Sequence, residues 1–170
     1  MGKGISNEIE RISGIGGRQI LGSLDASGLR FGLVVSRFNE ELTDALCRSA
    51  VGCLLEYGAK PEAVEVVRVP GAYEIPVIAE KMLAAGRFDA LIVLGVVVEG
   101  ETQHAQMIID TTGQSILDMA RAYKVPVINE IVGVRTWEQA VARCLGERDT
   151  RGWYAAEAAI ETARVGQKVG

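Results

Sequence analysis

Two hydrophobic periodicities alternate along the chain. Phe31 to Val35 is a short apolar run of the kind that forms a buried strand, and the turn Ser36-Arg37-Phe38-Asn39 follows it. Asn39 stands at an N-cap position, and Glu40 and Glu41 oppose the dipole of a first helical turn. Leu42, Ala45, Leu46, Ala50, Cys53, Leu54 and Tyr57 then recur at helical spacing up to Gly58. The same unit repeats with a strand over Val64 to Val69, the segment Pro70-Gly71-Ala72-Tyr73-Glu74, and a helix that turns Ile75, Ile78, Ala79, Met82 and Leu83 inward and stops at Gly86. Ala90 to Val98 is a continuous apolar run, the signature of a strand covered on both faces, and it leads through Glu99 to Gln103 into a helix from His104 to Tyr123 that contains Gly113.

A fourth strand is expected over Val125 to Val134. Thr136-Trp137-Glu138-Gln139 matches a capping box, and the helix it opens should bury Trp137, Ala140, Val141, Cys144 and Leu145. A last, alanine-rich helix is expected from Gly152 to Arg164. Strands that alternate with helices imply parallel pairing and right-handed crossovers, hence a three-layer α/β/α sandwich around a central parallel sheet, of flavodoxin-like type. Residues 27–170 read as one domain preceded by a glycine-rich extension, 1–26. Within that extension, Arg18 to Leu24 could either add a strand or form part of a flexible arm.

Composition narrows the functional classes. The chain has 170 residues, 48% of them hydrophobic, enough for one core without staples. Eighteen basic and 22 acidic residues give a net charge of -4 with no basic run, which argues against nucleic acid. No stretch reaches the roughly 20 apolar residues of a membrane helix, and the first residues do not have the make-up of a signal peptide, so a cytoplasmic location is expected. Cys47, Cys53 and Cys144 form no C-x-x-C pair and suit buried free thiols. With His104 as the single histidine, a zinc site built on several histidines is excluded.

Ligands of open parallel sheets bind beyond the carboxyl ends of the strands. Those segments, 36–39, 70–74, 99–104 and 134–136, hold most of the glycine, proline, aromatic and ionisable residues in the middle of the chain. His104 sits at a strand-to-helix junction, where an imidazole could move protons to and from a ligand lying over the strand end. No Walker A loop, dinucleotide fingerprint or G-x-S-x-G elbow is present.

In order along the chain, Ser36-Arg37-Phe38-Asn39, Val69-Pro70-Gly71-Ala72-Tyr73-Glu74-Ile75-Pro76, Gly95 to His104, Glu138 to Arg143 and Arg151-Gly152-Trp153 resemble the 6,7-dimethyl-8-ribityllumazine synthase family, over about 29–163. The resemblance implies condensation of 5-amino-6-(D-ribitylamino)uracil with 3,4-dihydroxy-2-butanone 4-phosphate in riboflavin biosynthesis, with release of phosphate and water and with no cofactor or metal. It implies that Phe38 stacks on the pyrimidine, and that Ala72, Tyr73, Glu74, Val96, Val97 and Val98 line the ring and ribityl pocket together with Asn129. It assigns the phosphate substrate to Glu101, Thr102 and Arg143, with Arg151 in support, and proton transfer to His104.

The implied assembly is a pentamer, in some members twelve pentamers in an icosahedral shell, with active sites shared between subunits so that Phe38 and Asn129 would come from a different chain than His104. The chain departs from the family pattern at Glu99, at Ala105-Gln106-Met107 and at Asn129, where an aromatic residue is usual. These departures keep a second role open, that of a weakly catalytic or non-catalytic member that binds lumazine or flavin or forms a cage.

Overall fold

A computed structural model describes residues 18–100 and 103–170. Four parallel strands, β1 (Phe31–Ser36), β2 (Val64–Val69), β3 (Ala90–Val98) and β4 (Val127–Val134), lie in the order β2-β1-β3-β4. The helices are α1 (Glu40–Glu56), α2 (Ile75–Ala84), α3 (His104–Tyr123), α4 (Trp137–Cys144) and α5 (Arg151–Val169). Side chains alternate across β3, so Leu91, Val93 and Val97 pack under α2 and α3, while Ile92, Leu94 and Val96 join Phe31, Leu46 and Ile160 under α1 and α5. This two-sided burial explains why β1 and β3 read as unbroken apolar runs, whereas the outer strands β2 and β4 mix buried and exposed positions.

The crossovers set where the strand ends open. The connection from β1 runs outward to β2, and the one from β3 runs outward to β4 on the opposite side. Because right-handed crossovers in opposite directions must use opposite faces, α1 and α3 diverge and leave a crevice at the carboxyl ends of β1 and β3.

Several boundaries differ from the sequence pattern, each for a local reason. α1 ends at Glu56 with Tyr57 as its C-cap, and Gly58 follows at φ 100°. β4 begins at Val127 because Pro126 has no amide for the ladder, although its carbonyl still accepts from the Leu91 amide at 2.8 Å. Trp137 and Leu145 are exposed rather than buried, since α4 is eight residues long and its inward stripe is Ala140 and Cys144. Thr136 does cap that helix by accepting from the Gln139 amide at 3.3 Å, but the Gln139 side chain reaches back to the Arg135 amide at 3.0 Å.

α5 outruns the expected 152–164 at both ends. Thr150 caps it by accepting from the Trp153 amide, and beyond Ala163 its last turns clasp the chain before β1: Arg164 donates to the Asp25 and Ser27 carbonyls, and Lys168 to that of Leu21. Residues 19–26 accordingly form no strand and run across α5, where Gly22 lies directly on Glu161.

Asn39 occupies the N-cap position without capping by its side chain. It adopts a left-handed conformation (φ 58°, ψ 49°), and its side-chain amide donates to the Val96 carbonyl at 3.0 Å. The Phe38 amide donates to the Pro70 carbonyl and that of Arg37 to Val69, so the loop after β1 is fastened to the ends of both neighbouring strands.

Asn39→Ala should lose both this hydrogen bond and the tolerance for left-handed backbone, together about 2 kcal/mol, whereas Asn39→Gly should lose about 1 kcal/mol, a difference measurable by chemical denaturation. At Gly152, an added Cβ would overlap the Leu46 carbonyl oxygen and come within 3.0 Å of Leu46 Cα, backbone that cannot yield. Gly152→Ala should therefore cost about 3 kcal/mol in the same measurement by forcing α5 off α1.

Candidate active site

The crevice at the switch between β1 and β3 holds a cavity of about 440 Å³ lined by Phe38, Gly71 to Glu74, Val96 to Val98, Gly100, His104, Ala105 and Ile108. Each wall has its own origin. Phe38, 68% exposed, is held over the opening by the three hydrogen bonds of its loop. Val96 and Val97 are the last buried residues of β3 and form an apolar floor. Ala72 to Glu74 make a single 3-10 turn after β2, stabilised by the Glu74 amide donating to the Gly71 carbonyl.

Glu74 folds back over Gly71. A Cβ there would stand 3.0 Å from Glu74 Oε2, so the carboxylate lies close over the Gly71 backbone at the cavity wall. His104 is the first residue of α3, exposed, and placed in the cavity wall by the helix start. The arrangement combines an exposed aromatic face, an apolar floor, one carboxylate and one imidazole. Such a cavity can orient a flat heterocycle and transfer protons at its rim.

The described thiols offer no nucleophile. Cys47, Cys53 and Cys144 are free and buried, and burial pushes Cys53 up to about 12 and Cys144 up to about 11. Among the described residues no three His, Cys, Asp or Glu side chains converge on a point that could hold a metal ion.

Of the residues singled out in the sequence, Phe38, Ala72, Tyr73, Glu74, Val96, Val97, Val98 and His104 meet in this one cavity. Phe38 and His104 therefore share a wall within a single chain, contrary to the expectation that they come from different chains, because the β1 and β3 ends are adjacent in the sheet. Asn129 does not reach the cavity. It pairs with Val93, five residues before the Val98–Val134 pair, which sets it about 16 Å back along the strands. Arg143 lies exposed on α4, and Arg151 forks onto Glu130 of β4, with its Nε 2.7 Å from Oε1 and Nη2 3.1 Å from Oε2. Glu101 and Thr102 lie outside the described residues.

Glu99 is exposed and does not line the cavity, its amide being taken up by the Val134 carbonyl. The sequence reading missed Ala105 and Ile108 as wall residues. Helical spacing contained the signal for Ile108, which stands one turn after His104 on the same face of α3. Asn39 was read as an N-cap within segment 36–39, and its role of fastening the Phe38 loop was not foreseen, since its partner Val96 is remote in sequence.

The family model for 6,7-dimethyl-8-ribityllumazine synthase matches residues 28–167. A curated 6,7-dimethyl-8-ribityllumazine synthase from Desulfatibacillum aliphaticivorans is 39% identical over 151 residues, covering 89% of this chain and 97% of that protein. No described helix is long and apolar enough to cross a membrane. The family match spans every strand of the sheet and both sides of the crevice, and the chain belongs to the 6,7-dimethyl-8-ribityllumazine synthase family.

Proposed function

We propose that this chain condenses 5-amino-6-(D-ribitylamino)uracil with 3,4-dihydroxy-2-butanone 4-phosphate to give 6,7-dimethyl-8-ribityllumazine, phosphate and water, a step of riboflavin biosynthesis. The observation that carries this reading is the single cavity in which Phe38, Glu74, the Val96 to Val98 floor and His104 converge, in a chain of this family. The substrate amine is the nucleophile. It attacks the ketone carbonyl, loss of water gives an imine, elimination releases phosphate, and closure by the second nitrogen with loss of a further water completes the ring. Each step moves a proton, and none needs an enzyme nucleophile.

In this reading Phe38 stacks on the pyrimidine, Ala72 to Glu74 and Val96 to Val98 enclose the ring and ribityl chain, and the Glu74 carboxylate accepts from ribityl hydroxyls. His104 gives and takes the protons. Glu101, Thr102 and Arg143 bind the phosphate, Arg143 with a guanidinium fork that matches phosphate geometry. Because Asn129, Arg143 and Arg151 lie outside the cavity of their own chain, a second copy supplies them, in a pentamer that can build a twelve-pentamer shell. One domain, 27–170, carries this function behind the extension 1–26, in the cytoplasm.

The test is steady-state formation of the lumazine, followed by its absorbance with both substrates. Turnover near about 1 s⁻¹ or somewhat below is expected. Tight binding of the pyrimidine or of riboflavin without product would instead assign the chain to the binding or cage-forming role that the polar Asn129 favours.

His104→Ala should lower kcat about a hundredfold without abolishing turnover, since imine formation is largely the substrates' own chemistry, and a wild-type rate would remove the proton-transfer role. Arg143→Ala should raise KM for the butanone phosphate at least about tenfold and leave KM for the pyrimidine nearly unchanged, which parallel titrations of the two substrates distinguish.

A further inference from the structure

β4 is the outer strand of the sheet, with one edge unpaired among the described residues. Its side chains alternate, Asn129 lying towards α3 and Glu130 towards α4 and α5. Glu130 is the one charged residue among the described residues that is buried, at 7% exposure. Burying a carboxylate costs stability that an apolar residue at the same place would not, so its presence calls for a role beyond packing.

The partner is Arg151, whose Nε and Nη2 each donate to one Glu130 oxygen while the side chain stays half exposed. Both ends of the fork are held, so the guanidinium plane is fixed, and its remaining N–H groups form an outward edge. The carboxylate also holds the guanidinium firmly in its charged form, through the hydrogen bonds first and the opposite charge second. Arg143 lies on α4, which packs through Ala140 and Cys144 into the same core layer as α5, and it makes no ion pair among the described residues. The two arginines thus differ in kind. Among the described residues Arg143 is an unpaired cation, suited to phosphate, and Arg151 is a rigid donor with its net charge cancelled, suited to a neutral acceptor.

We propose that Glu130 is a positioning residue: its pairing with Arg151 fixes the outward N–H edge and cancels its charge, so that Arg151 recognises the neutral carbonyl edge of the pyrimidine and leaves the phosphate to Arg143. This rests on the reading above, in which β4 of one copy completes the cavity of the next.

Glu130→Gln keeps the shape and removes the charge. In the full-length assembled protein it should raise KM for the pyrimidine about tenfold with kcat within about twofold, and at the same time make inorganic phosphate a roughly threefold stronger inhibitor, because Arg151 is unmasked. A merely structural role would raise both KM values together and leave phosphate inhibition no stronger, and that result would overturn the proposal. Arg151→Lys, which keeps the ion pair but loses the planar fork, should raise KM for the pyrimidine without strengthening phosphate. An unchanged KM for the pyrimidine there would overturn the proposal even if Glu130→Gln fails to fold. Absence of turnover in the wild type would sink the functional reading alone. Calorimetric binding of inorganic phosphate to wild type and Glu130→Gln would then still decide, a gain in affinity supporting the role of Glu130 and none refuting it.

Discussion

Burial of β3 on both faces is the constraint on which the other features depend. Leu91, Ile92, Val93 and Leu94 are fully enclosed, and at about 2 kcal/mol each their burial is worth on the order of 8 kcal/mol before chain entropy is counted. Such a strand must be central and must be covered from both sides, which commits helices to both faces. With β1 beside it and the two connections leaving in opposite directions, the helices that follow β1 and β3 part at the carboxyl ends. The cavity is the space left by that divergence, so it is a consequence of how the core is covered.

The same geometry divides the site's work. Residues on the strand ends and first turns are rigid because the sheet and three loop hydrogen bonds hold them, and they supply shape: an aromatic lid, an apolar floor, a folded-back carboxylate. His104 differs from these walls in standing where a helix begins and solvent reaches the ring. Preorganised walls suit a reaction in which the substrates bring their own nucleophile and leaving group, because what remains for the protein is alignment and proton movement. The buried cysteines, with thiol pKa values pushed upward by desolvation, belong to packing.

The outer edge of β4 carries the contrasting chemistry. There the described chain places its one buried charge and two arginines of different character within reach of α4 and α5, away from its own cavity. In the proposed reading, a fold that keeps its cavity and its arginines on different parts of one chain gains a complete constellation through contact between copies, which would couple assembly to chemistry.

Much of this was legible in the sequence. The limits of β3 and α3 coincide with those read from periodicity, because an unbroken apolar run or a long amphipathic stripe reports burial directly, and those of β2 coincide as well although only Val69 of that strand is buried. Most of the cavity wall was legible as well, since strand ends in a parallel sheet are where ligands go and Phe38, Ala72 to Glu74 and His104 all follow strands. What the sequence by itself determined was thus the layer architecture and the end of the sheet that does the chemistry, both of which follow from spacing within a few residues. Tertiary structure alone decided that Asn39 turns left-handed to reach Val96, that α5 extends to Val169 by clasping the chain before β1, that Trp137 and Leu145 face solvent, and that Glu130 is buried beneath Arg151. Each of these depends on a partner remote along the chain or on how far a neighbouring surface extends, and local periodicity has no access to either.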